Sequence, residues 1–474
     1  MFDYTKKLTT HREFYPIADL DWSVESDRGR IISTPAFRRL QKRTQVFALE
    51  LNAAVRSRLT HSLEVSQTAR FIAKTILKKL NSYELNEIQN AFVSTSEMAS
   101  LLHDIGNPPF GHFGEAAIND WMDKKGVQYI QNRDGDNELK QKLIKDISSY
   151  DGNAQAIRIV HKLQRLNLSY TQTASILKYT RGAFEEKDSD HPLSYLRKKP
   201  GYYYSEKDFV DTIQKELDIK KSHRLPITYI MEAADDISYL SADIEDAVDK
   251  GILTLDTLYK LIIEECDKIN DKYGTKSTML KELVEKNYKN AKNKEDEPYQ
   301  FNMFLTLTRA QLISKLVNYV SDIYIKNHKA VFEGSFNSAL LESDKSHECS
   351  QAVEVLQNIS YRHIYTHKQV QELELKGYYI LQGLFDIYEP LLTLDSQSFQ
   401  DLLDDKKVDC IICKNILSRL SKKHLVAYKK SIGDIKDEKN YEVLEQYYRT
   451  RLVIDYISGM TDDYALHEYK SLKN

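Results

Sequence analysis

The chain has 474 residues and a formal net charge of −3, from 67 Lys and Arg against 70 Asp and Glu. This balance excludes a protein that binds nucleic acid through overall positive charge alone. Gly (16) and Pro (9) are scarce while Leu, Ile, Lys and Glu are plentiful, so the composition predicts an all-α fold. No apolar run is long enough to span a membrane and no signal peptide is evident, so we expect a cytoplasmic protein with no membrane partner.

The early part of the chain is distinguished by local positive charge. Residues 1–30 are predicted to be irregular. From residue 28 to residue 58 there are eight cations against one acid, Glu50. The cations are Arg28, Arg30, Arg38, Arg39, Lys42, Arg43, Arg56 and Arg58. Such a segment fits a polyphosphate substrate; the alternative is a basic helix face that is simply solvated.

Two helices are predicted next, and the second ends at a His-Asp pair. Residues 60–80 form the first helix, with Thr60 as its N-cap. Residues 93–104 form the second and carry His103 and Asp104 at their end. A glycine and two prolines follow within five residues, so the helix is expected to stop there.

The middle of the chain alternates predicted helices with polar connections. We predict a helix over 113–123, a surface loop over 131–151, two helical pieces over 153–180 and a loop over 187–205. The last of these segments carries two prolines and a glycine, which is typical of a loop.

The strongest predicted helix runs over 227–250 and is closed by Gly251 at the C′ position. Asp235, Tyr239 and Asp243 follow one another at four-residue spacing, which puts them on one helix face. These side chains line one wall of a pocket, or else they form the exposed face of an amphipathic helix.

Fewer features mark the C-terminal half. Residues 286–299 are highly charged and are predicted to form an exposed connection. Beyond residue 300 the pattern stays helical to the end, apart from a short hairpin predicted near Tyr361–Thr366. Cys410 and Cys413 have zinc or redox spacing, but no second C-x-x-C and no histidine pair accompanies them, so we interpret them as two ordinary thiols.

The His-Asp pair is the first candidate for chemistry. An adjacent imidazole and carboxylate can bind one divalent ion if the backbone turns there. His61 lies upstream of His103 and Asp104, and the adjacent Asp235 and Asp236 lie downstream. Two histidines and two carboxylates suit Mg, Mn, Fe, Co or Zn without any cysteine. The alternative is a chance motif match.

His112 and Glu115 form a second candidate pair. They stand three residues apart, just after the proline-rich turn, and on a helix they face the same way. A carboxylate stabilises an imidazolium, so the pair can hold or move a proton. The alternative is that His112 only caps the helix.

Longer strings strengthen these assignments through a resemblance. QKRTQVFALELNAAVRSRLTHSLEV, LLHDIGNPPFGHFGEAAINDW, KKPGYY, MEAADDISYLSADIEDAV and LVIDYISGMTDDYA resemble the bacterial dGTP triphosphohydrolases of the HD superfamily of metal-dependent phosphohydrolases. The similarity covers the chain from about residue 28 to about residue 470. It implies hydrolysis of dGTP, and of other dNTPs as alternatives, to a deoxynucleoside and tripolyphosphate, with control of dNTP pools.

The resemblance also implies a role for each matching residue. The implied metal ligands are His61, His103, Asp104 and Asp235, with Mg or Mn first and Co, Fe or Zn as alternatives. His112 and Glu115 are implied to assist attack by water. The implied substrate-binding residues are Gln45, Arg58, Asn153, Lys178, Tyr239 and Asp243. Of these, Arg58, Lys178 and Asn153 are expected near the phosphates, and the others at the sugar.

Recognition of the base is less specific. Guanine carries donors and acceptors that Glu or Arg can read. The candidates are Glu372, Glu374, Arg449 and Arg451, each of which is alternatively a surface or structural charge.

The resemblance implies one helical body, with an HD core over about 58–250 and a helical C-terminal region over about 251–474. It further implies a homo-oligomer, specifically a hexamer, and single-stranded DNA as an activating partner. Two other functions are considered. One is a different HD phosphohydrolase, such as a nucleotidase or phosphodiesterase. The other is a helical protein that binds single-stranded nucleic acid, which the basic segment and the 31 tyrosines favour.

Overall fold

The computed structural model describes residues 2–50, 52, 54–80, 87–436 and 439–473. In these ranges the chain consists chiefly of helices, which confirms the all-α prediction. The described strands are two short parallel segments, Arg181–Gly182 and Pro200–Tyr202. Every helix in these ranges is too short or too polar to cross a lipid bilayer.

The helices are numbered here in chain order. The first half contains α1 (Leu20–Ser33), α2 (Pro35–Arg39), α3 (Arg58–Leu80), α4 (Gln89–Leu102), α5 (Gly111–Trp121), α6 (Val127–Gln131), α7 (Asn137–Ile147), α8 (Gly152–Arg158), α9 (Tyr170–Ser175), α10 (Lys207–Glu216) and α11 (Pro226–Asp249). The second half contains α12 (Leu255–Tyr273), α13 (Met279–Lys294), α14 (Glu297–Lys326), α15 (His328–Glu333), α16 (Glu348–Ile359), α17 (Lys368–Tyr388), α18 (Pro390–Thr393), α19 (Ser396–Leu403), α20 (Cys413–Arg419), α21 (Lys422–Asp434), α22 (Tyr441–Ser458) and α23 (Asp462–Lys473). Short 3₁₀ segments are Tyr4–Lys6, Leu40–Lys42 and Tyr204–Glu206, and π-helical segments are Met122–Gly126, Ile159–Leu163 and Ser360–Tyr365.

A first hydrophobic core forms where α3, α4 and α11 pack together. Val65, Ile72 and Ile76 of α3 are fully buried there, as are Ile230 and Ile237 of α11. Burial of one such side chain contributes roughly 1.5–3 kcal/mol to folding. Because α3 and α11 also carry predicted metal ligands, this core sets the distance between those ligands.

A second core joins α5 to the C-terminal helices α17 and α22. Trp121 stacks on Phe385, with ring centroids 5.1 Å apart. The segment between α4 and α5 connects the two cores, since Ile105 belongs to the first and Phe110 to the second. The turn that follows His103 is therefore held from both sides.

That turn depends on two glycines. A Cβ atom at Gly106 would lie 2.0 Å from the carbonyl oxygen of Gly152, so no larger residue fits. Gly111 has φ of +55°, a left-handed conformation that glycine adopts without steric cost. The chain therefore leaves α4 and enters α5 within a few residues.

Helix α11 confirms the strongest prediction. It begins with Pro226 at the first helical position and ends at Asp249, followed by Gly251 with φ of +71°. The amide of Gly251 donates to Val248 O at 2.8 Å, which satisfies a carbonyl that the helix end leaves free.

Two segments predicted to be irregular contain helices. Helix α1 begins at Leu20, inside the stretch 1–30, because Asp19 caps it by accepting from Trp22 N at 2.9 Å. Helix α7 lies inside the stretch 131–151 for the same reason, with Asp136 as its cap. Both segments are rich in polar residues, and in each of them an aspartate, Asp19 or Asp136, acts as a helix N-cap.

Three further predictions are wrong. The charged stretch 286–299 is mostly helical, because α13 runs to Lys294 and α14 begins at Glu297. The hairpin predicted near Tyr361–Thr366 is a π-helical segment that continues α16. Thr60 is not the N-cap of α3, since the helix begins at Arg58 and Ser57 N donates to Thr60 Oγ1 at 3.1 Å.

The interpretation of Cys410 and Cys413 as thiols is also wrong. The two residues form a disulfide with their Cα atoms 5.4 Å apart. Cys413 begins α20, so the turn before this helix brings the two sulfur atoms together. Among the described residues, Cys266 and Cys349 are free and buried.

Candidate active site

A cavity of about 510 Å³ lies where α3, α11 and the turn between α4 and α5 meet. Eleven of the twelve predicted site residues line it. They are Gln45, Arg58, His103, Asp104, His112, Glu115, Asn153, Lys178, Asp235, Tyr239 and Asp243. The twelfth, His61, is fully buried behind the wall.

Three of the predicted ligands converge on one point. His61 Nε2 lies 3.2 Å from Asp235 Oδ1, and His103 Nε2 lies 3.4 Å from the same oxygen. One donor atom from each residue falls within 4.8 Å of the others. Asp235 makes these contacts and its neighbour Asp236 does not.

Asp104 lies beside this cluster but is already paired. Its Oδ2 is 3.5 Å from His103 Nε2 and accepts from Arg58 Nη1 at 2.6 Å. Its Oδ1 accepts from Asn107 Nδ2 at 2.5 Å. Burial raises the pKa of Asp104, but the Arg58 guanidinium outweighs burial and brings the pKa down to about 2. The side chain is therefore a carboxylate at neutral pH.

The protonation of the cluster follows from its charges. Burial lowers the pKa of His103, but the carboxylates of Asp104 and Asp235 outweigh burial and raise it to about 9. Burial likewise opposes ionisation of Asp235, yet His103 and His61 hold its pKa well below the usual range. The carboxylates of Asp104 and Asp235 are thus ionised, and imidazole nitrogens of His61 and His103 lie beside them.

These donors fit a divalent ion. His103 Nδ1 lies 2.7 Å from Ser100 O, and donation to that carbonyl leaves Nε2 turned toward the cluster. A backbone partner on the second nitrogen is the usual arrangement for a metal-binding histidine. Two imidazoles and two carboxylates form a mixed nitrogen and oxygen set that suits first-row divalent metals and Mg.

His112 and Glu115 are paired as the spacing predicted. His112 Nδ1 lies 3.0 Å from Glu115 Oε2, and Glu115 Oε1 accepts from Gly152 N at 2.8 Å. Burial raises the pKa of Glu115, but its bond to His112 outweighs burial and lowers it. The His112 side chain is 86% exposed and lines the cavity.

Two cations lie beside the acidic cluster. Lys178 Nζ is 3.9 Å from Asp235 Oδ2, and neighbouring carboxylates raise its pKa despite burial. Arg58 is also largely buried. It lines the cavity, and its guanidinium donates to Asp104. Asn153 lines the cavity as well, with its Nδ2 held by Asp151 Oδ1 at 2.7 Å.

Tyr239 and Asp243 are fixed by residues from the C-terminal half. Tyr239 Oη accepts from Gln357 Nε2 at 2.6 Å. Tyr365 Oη donates to Asp243 Oδ2, and burial raises the pKa of Asp243 to about 6. Asp243 Oδ1 and Gln45 Oε1 are buried and have no hydrogen-bond partner within the described part of the chain.

The base-reading candidates divide into two groups. Glu374 lines the cavity, while Glu372 is exposed and lies near Lys368 on α17. Arg449 and Arg451 are fully buried and paired with Glu445 and Asp146. Both arginines are therefore structural, which was the alternative given for them.

Sequence reasoning missed several lining residues. Asn107, Tyr179, Lys199 and Tyr365 all line the cavity. Lys199 and Asn107 lie inside strings that carried the resemblance, so that signal could have found them. Tyr365 had no such signal because it falls in a segment interpreted as a hairpin.

The basic segment does not form one face. Arg56 binds Glu64 and Asp246, Arg58 binds Asp104, and Arg28 binds Glu97. Arg43 is buried and donates to backbone carbonyl oxygens. Only Arg58 of the eight cations lines the cavity.

Comparison with known proteins agrees with this geometry. Residues 58–200 match the HD domain, and residues 423–471 match the phosphohydrolase-associated domain. Over 508 aligned positions the chain is 42% identical to a deoxyguanosinetriphosphate triphosphohydrolase of Klebsiella pneumoniae subsp. pneumoniae. The alignment covers 99% of this chain and 98% of that protein. These matches confirm the resemblance that the motifs indicated.

Proposed function

Because the chain belongs to the deoxyguanosinetriphosphate triphosphohydrolase family, we propose that it hydrolyses dGTP to deoxyguanosine and tripolyphosphate with a divalent ion. The observation that carries this proposal is the convergence of His61, His103 and Asp235. The cavity beside this cluster is also lined by the cations Arg58 and Lys178. The polar side chains of Gln45, Tyr239 and Asp243 line it as well. A phosphohydrolase needs both features in one place.

In this proposal His61, His103, Asp104 and Asp235 hold the metal. When bound, the ion supplies Lewis-acid polarisation of a phosphoryl oxygen. We favour Mg or Mn, since carboxylate oxygens make up half of the donor set; Co, Fe or Zn are the alternatives.

His112 is proposed to handle the proton of the attacking water. Its Nδ1 is occupied by Glu115, so Nε2 is the atom that accepts the proton. The Glu115 carboxylate stabilises the resulting imidazolium, and its bond from Gly152 N keeps it in place. The pair therefore acts as a general base.

Arg58 and Lys178 are proposed to bind the phosphates. A triphosphate brings several negative charges into the cavity, and cations beyond the metal must neutralise them. Arg58 can share its guanidinium between Asp104 and a phosphate oxygen, because a guanidinium carries five N–H donors. Asn153 adds a polar contact in the same cavity.

The sugar is proposed to lie against Tyr239. The ring fills the space beside C2′, so a 2′-hydroxyl is excluded sterically. Asp243 Oδ1 and Gln45 Oε1 lack partners among the described residues, and either oxygen can accept from the 3′-hydroxyl. A buried acceptor left unpaired costs about 1–3 kcal/mol, which favours a substrate that supplies this donor.

The remaining proposals concern the oligomeric state, activation, cellular location and domain organisation of the enzyme. A homo-oligomer, a hexamer by resemblance, and activation by single-stranded DNA both rest on the family. A cytoplasmic location and control of dNTP pools follow from the proposed substrate. The single helical body, with an HD core over about 58–250, likewise remains a proposal.

Product analysis tests the function directly. The protein is offered dGTP, dATP, dCTP, TTP and GTP with Mg or Mn, and phosphorus-containing products are identified by ³¹P NMR. We expect tripolyphosphate from dGTP first and least from GTP. Orthophosphate or a nucleoside monophosphate indicates another kind of HD phosphohydrolase. Tight binding of a single-stranded oligonucleotide without metal-dependent turnover indicates a nucleic-acid-binding protein.

A further inference from the structure

Arg39 is a half-buried cation without an acidic partner. It ends α2, and neither a hydrogen bond nor an ion pair joins its guanidinium to any residue that the structure describes. Its Nε is fully buried, and burial lowers the pKa of Arg39 without any opposing carboxylate. A partly buried charge without a counter-charge costs folding free energy, so a bound anion stabilises this position.

The guanidinium lines a second cavity, separate from the catalytic one. This cavity has a volume of about 550 Å³ and lies between α2 and the start of α21. The polar residues that line it include Arg39, Ser421, Lys422, Lys423 and His424. None of the described residues that line it is an Asp or Glu. The charged side chains that line the cavity are therefore all cations.

His424 supplies a second unpartnered group. Its side chain is only 7% exposed, and its Nδ1 is buried without a hydrogen-bond partner in the described ranges. Burial lowers the pKa of His424 to about 4; the Asp455 carboxylate opposes this shift, and Arg39 and Lys423 add to it. The imidazole is therefore neutral, with one N–H to donate.

The start of α21 faces the same cavity. This helix has 13 residues, and Ser421 at its N-cap makes no side-chain hydrogen bond to the first turn. The backbone N–H groups of that turn lack a side-chain acceptor, and the helix dipole favours an anion beside them. Such a terminus binds phosphate groups in many proteins.

We propose that this cavity is a binding site for a phosphate group. Arg39 and Lys423 supply charge, His424 donates one hydrogen bond, and the first turn of α21 supplies backbone donors. The phosphate comes either from free inorganic phosphate or polyphosphate, or from the backbone of a single-stranded nucleic acid. The inference does not depend on the proposed catalytic activity, since none of these residues lines the catalytic cavity.

Titration calorimetry of the full-length protein tests the proposal. Inorganic phosphate, tripolyphosphate and a single-stranded oligodeoxynucleotide are titrated separately in EDTA, so that no turnover occurs. The variant is Arg39→Gln, and the matched control is Arg38→Gln, whose guanidinium is exposed on the same helix. We expect Arg39→Gln to weaken phosphate binding about tenfold or more, and Arg38→Gln to leave it unchanged.

The three ligands distinguish the two sources. Weaker binding of inorganic anions alone identifies free phosphate as the ligand, and weaker binding of the oligonucleotide as well identifies backbone phosphate. Lys423→Gln, at an exposed position, is a second variant that is expected to fold normally, which circular dichroism checks. If Arg39→Gln and Lys423→Gln both bind all three ligands like the wild type, the cavity is not a phosphate site.

Discussion

Two buried regions of this molecule are rich in charge, and they differ in how the charges are balanced. Around α22, Arg451 pairs with Asp146, and Arg158 pairs with Asp455 at 2.6 Å. In the catalytic cavity, Asp243 and Gln45 have unpartnered oxygens within the described part of the chain. The acidic cluster there brings His61, His103 and Asp235 together, while Arg58 is bonded to the neighbouring Asp104.

The difference separates structural charge from functional charge. A buried ion pair holds the fold together, since loss of one member leaves an uncompensated charge. A buried charge that has no opposite charge beside it is costly, and its retention indicates a ligand. This argument points from Arg39 to a phosphate, whereas the metal assignment rests on the convergence of His61, His103 and Asp235.

The largest effect is expected from breaking the acidic cluster. Asp235→Asn removes a charged ligand, so we expect bound metal to be lost and dGTP turnover to fall about a thousandfold or more. Asp249→Asn is the matched control, because Asp249 lies exposed on the same helix. Metal content by atomic emission and turnover are measured together. Full metal content in Asp235→Asn contradicts the assignment.

The next largest effect is expected in the structural region. Arg451→Met leaves the buried Asp146 without its cation, although Tyr447 and Tyr204 still donate to it. We therefore expect the free energy of unfolding to fall by about 3–5 kcal/mol. Lys142→Met, which breaks an exposed pair with Glu138, is the control and is expected to change nothing measurable. Urea unfolding gives both values. If Arg451→Met has the free energy of unfolding of the wild type, the buried pair does not stabilise the fold. The distinction between structural and functional charge is then wrong.

His112→Ala separates proton transfer from metal binding. We expect the metal to stay bound while turnover falls about 100-fold to 1,000-fold, because the general base is lost. His103→Ala is the comparison and is expected to lose the metal as well. If metal content is zero in His112→Ala and full in His103→Ala, the two roles are assigned wrongly.

The smallest effect concerns the residues that position the sugar contacts. Tyr365→Phe removes the donor to Asp243, so we expect kcat/KM for dGTP to fall about fivefold. The 3′-deoxy analogue ddGTP cannot donate a 3′-hydroxyl, and its kcat/KM is expected to change less. Tyr361→Phe, exposed in the same π-helical segment, is the control. An equal loss for both nucleotides argues for a general packing role.

Much of the candidate site could be predicted because its residues follow short spacings. Asp235, Tyr239 and Asp243 share a face through helical periodicity alone, and the turn after His103 is marked by glycine and proline. The contacts of Gln357 and Tyr365 could not be predicted. They join residues more than one hundred positions apart in sequence, and no local pattern encodes such a pairing.

The fold class could also be predicted, while several element boundaries could not. Helix α7 and the C-terminal part of α13, which falls in the predicted connection 286–299, are rich in charged residues, and the sequence predicts loops there. An amphipathic helix buries only one of its faces. Leu143 and Ile147 on that face are enough to pack α7 against the second core. The Cys410–Cys413 disulfide was missed for a different reason. Spacing does not reveal whether the turn brings the two sulfur atoms together.

The most direct test of the account is the position of a bound metal ion. A crystal of the protein grown with Mn²⁺ is measured at a wavelength where manganese scatters anomalously. The account predicts one strong peak about 2 Å from donor atoms of His61, His103, Asp104 and Asp235. A manganese peak elsewhere in an enzyme that hydrolyses dGTP, with none between these four residues, contradicts it.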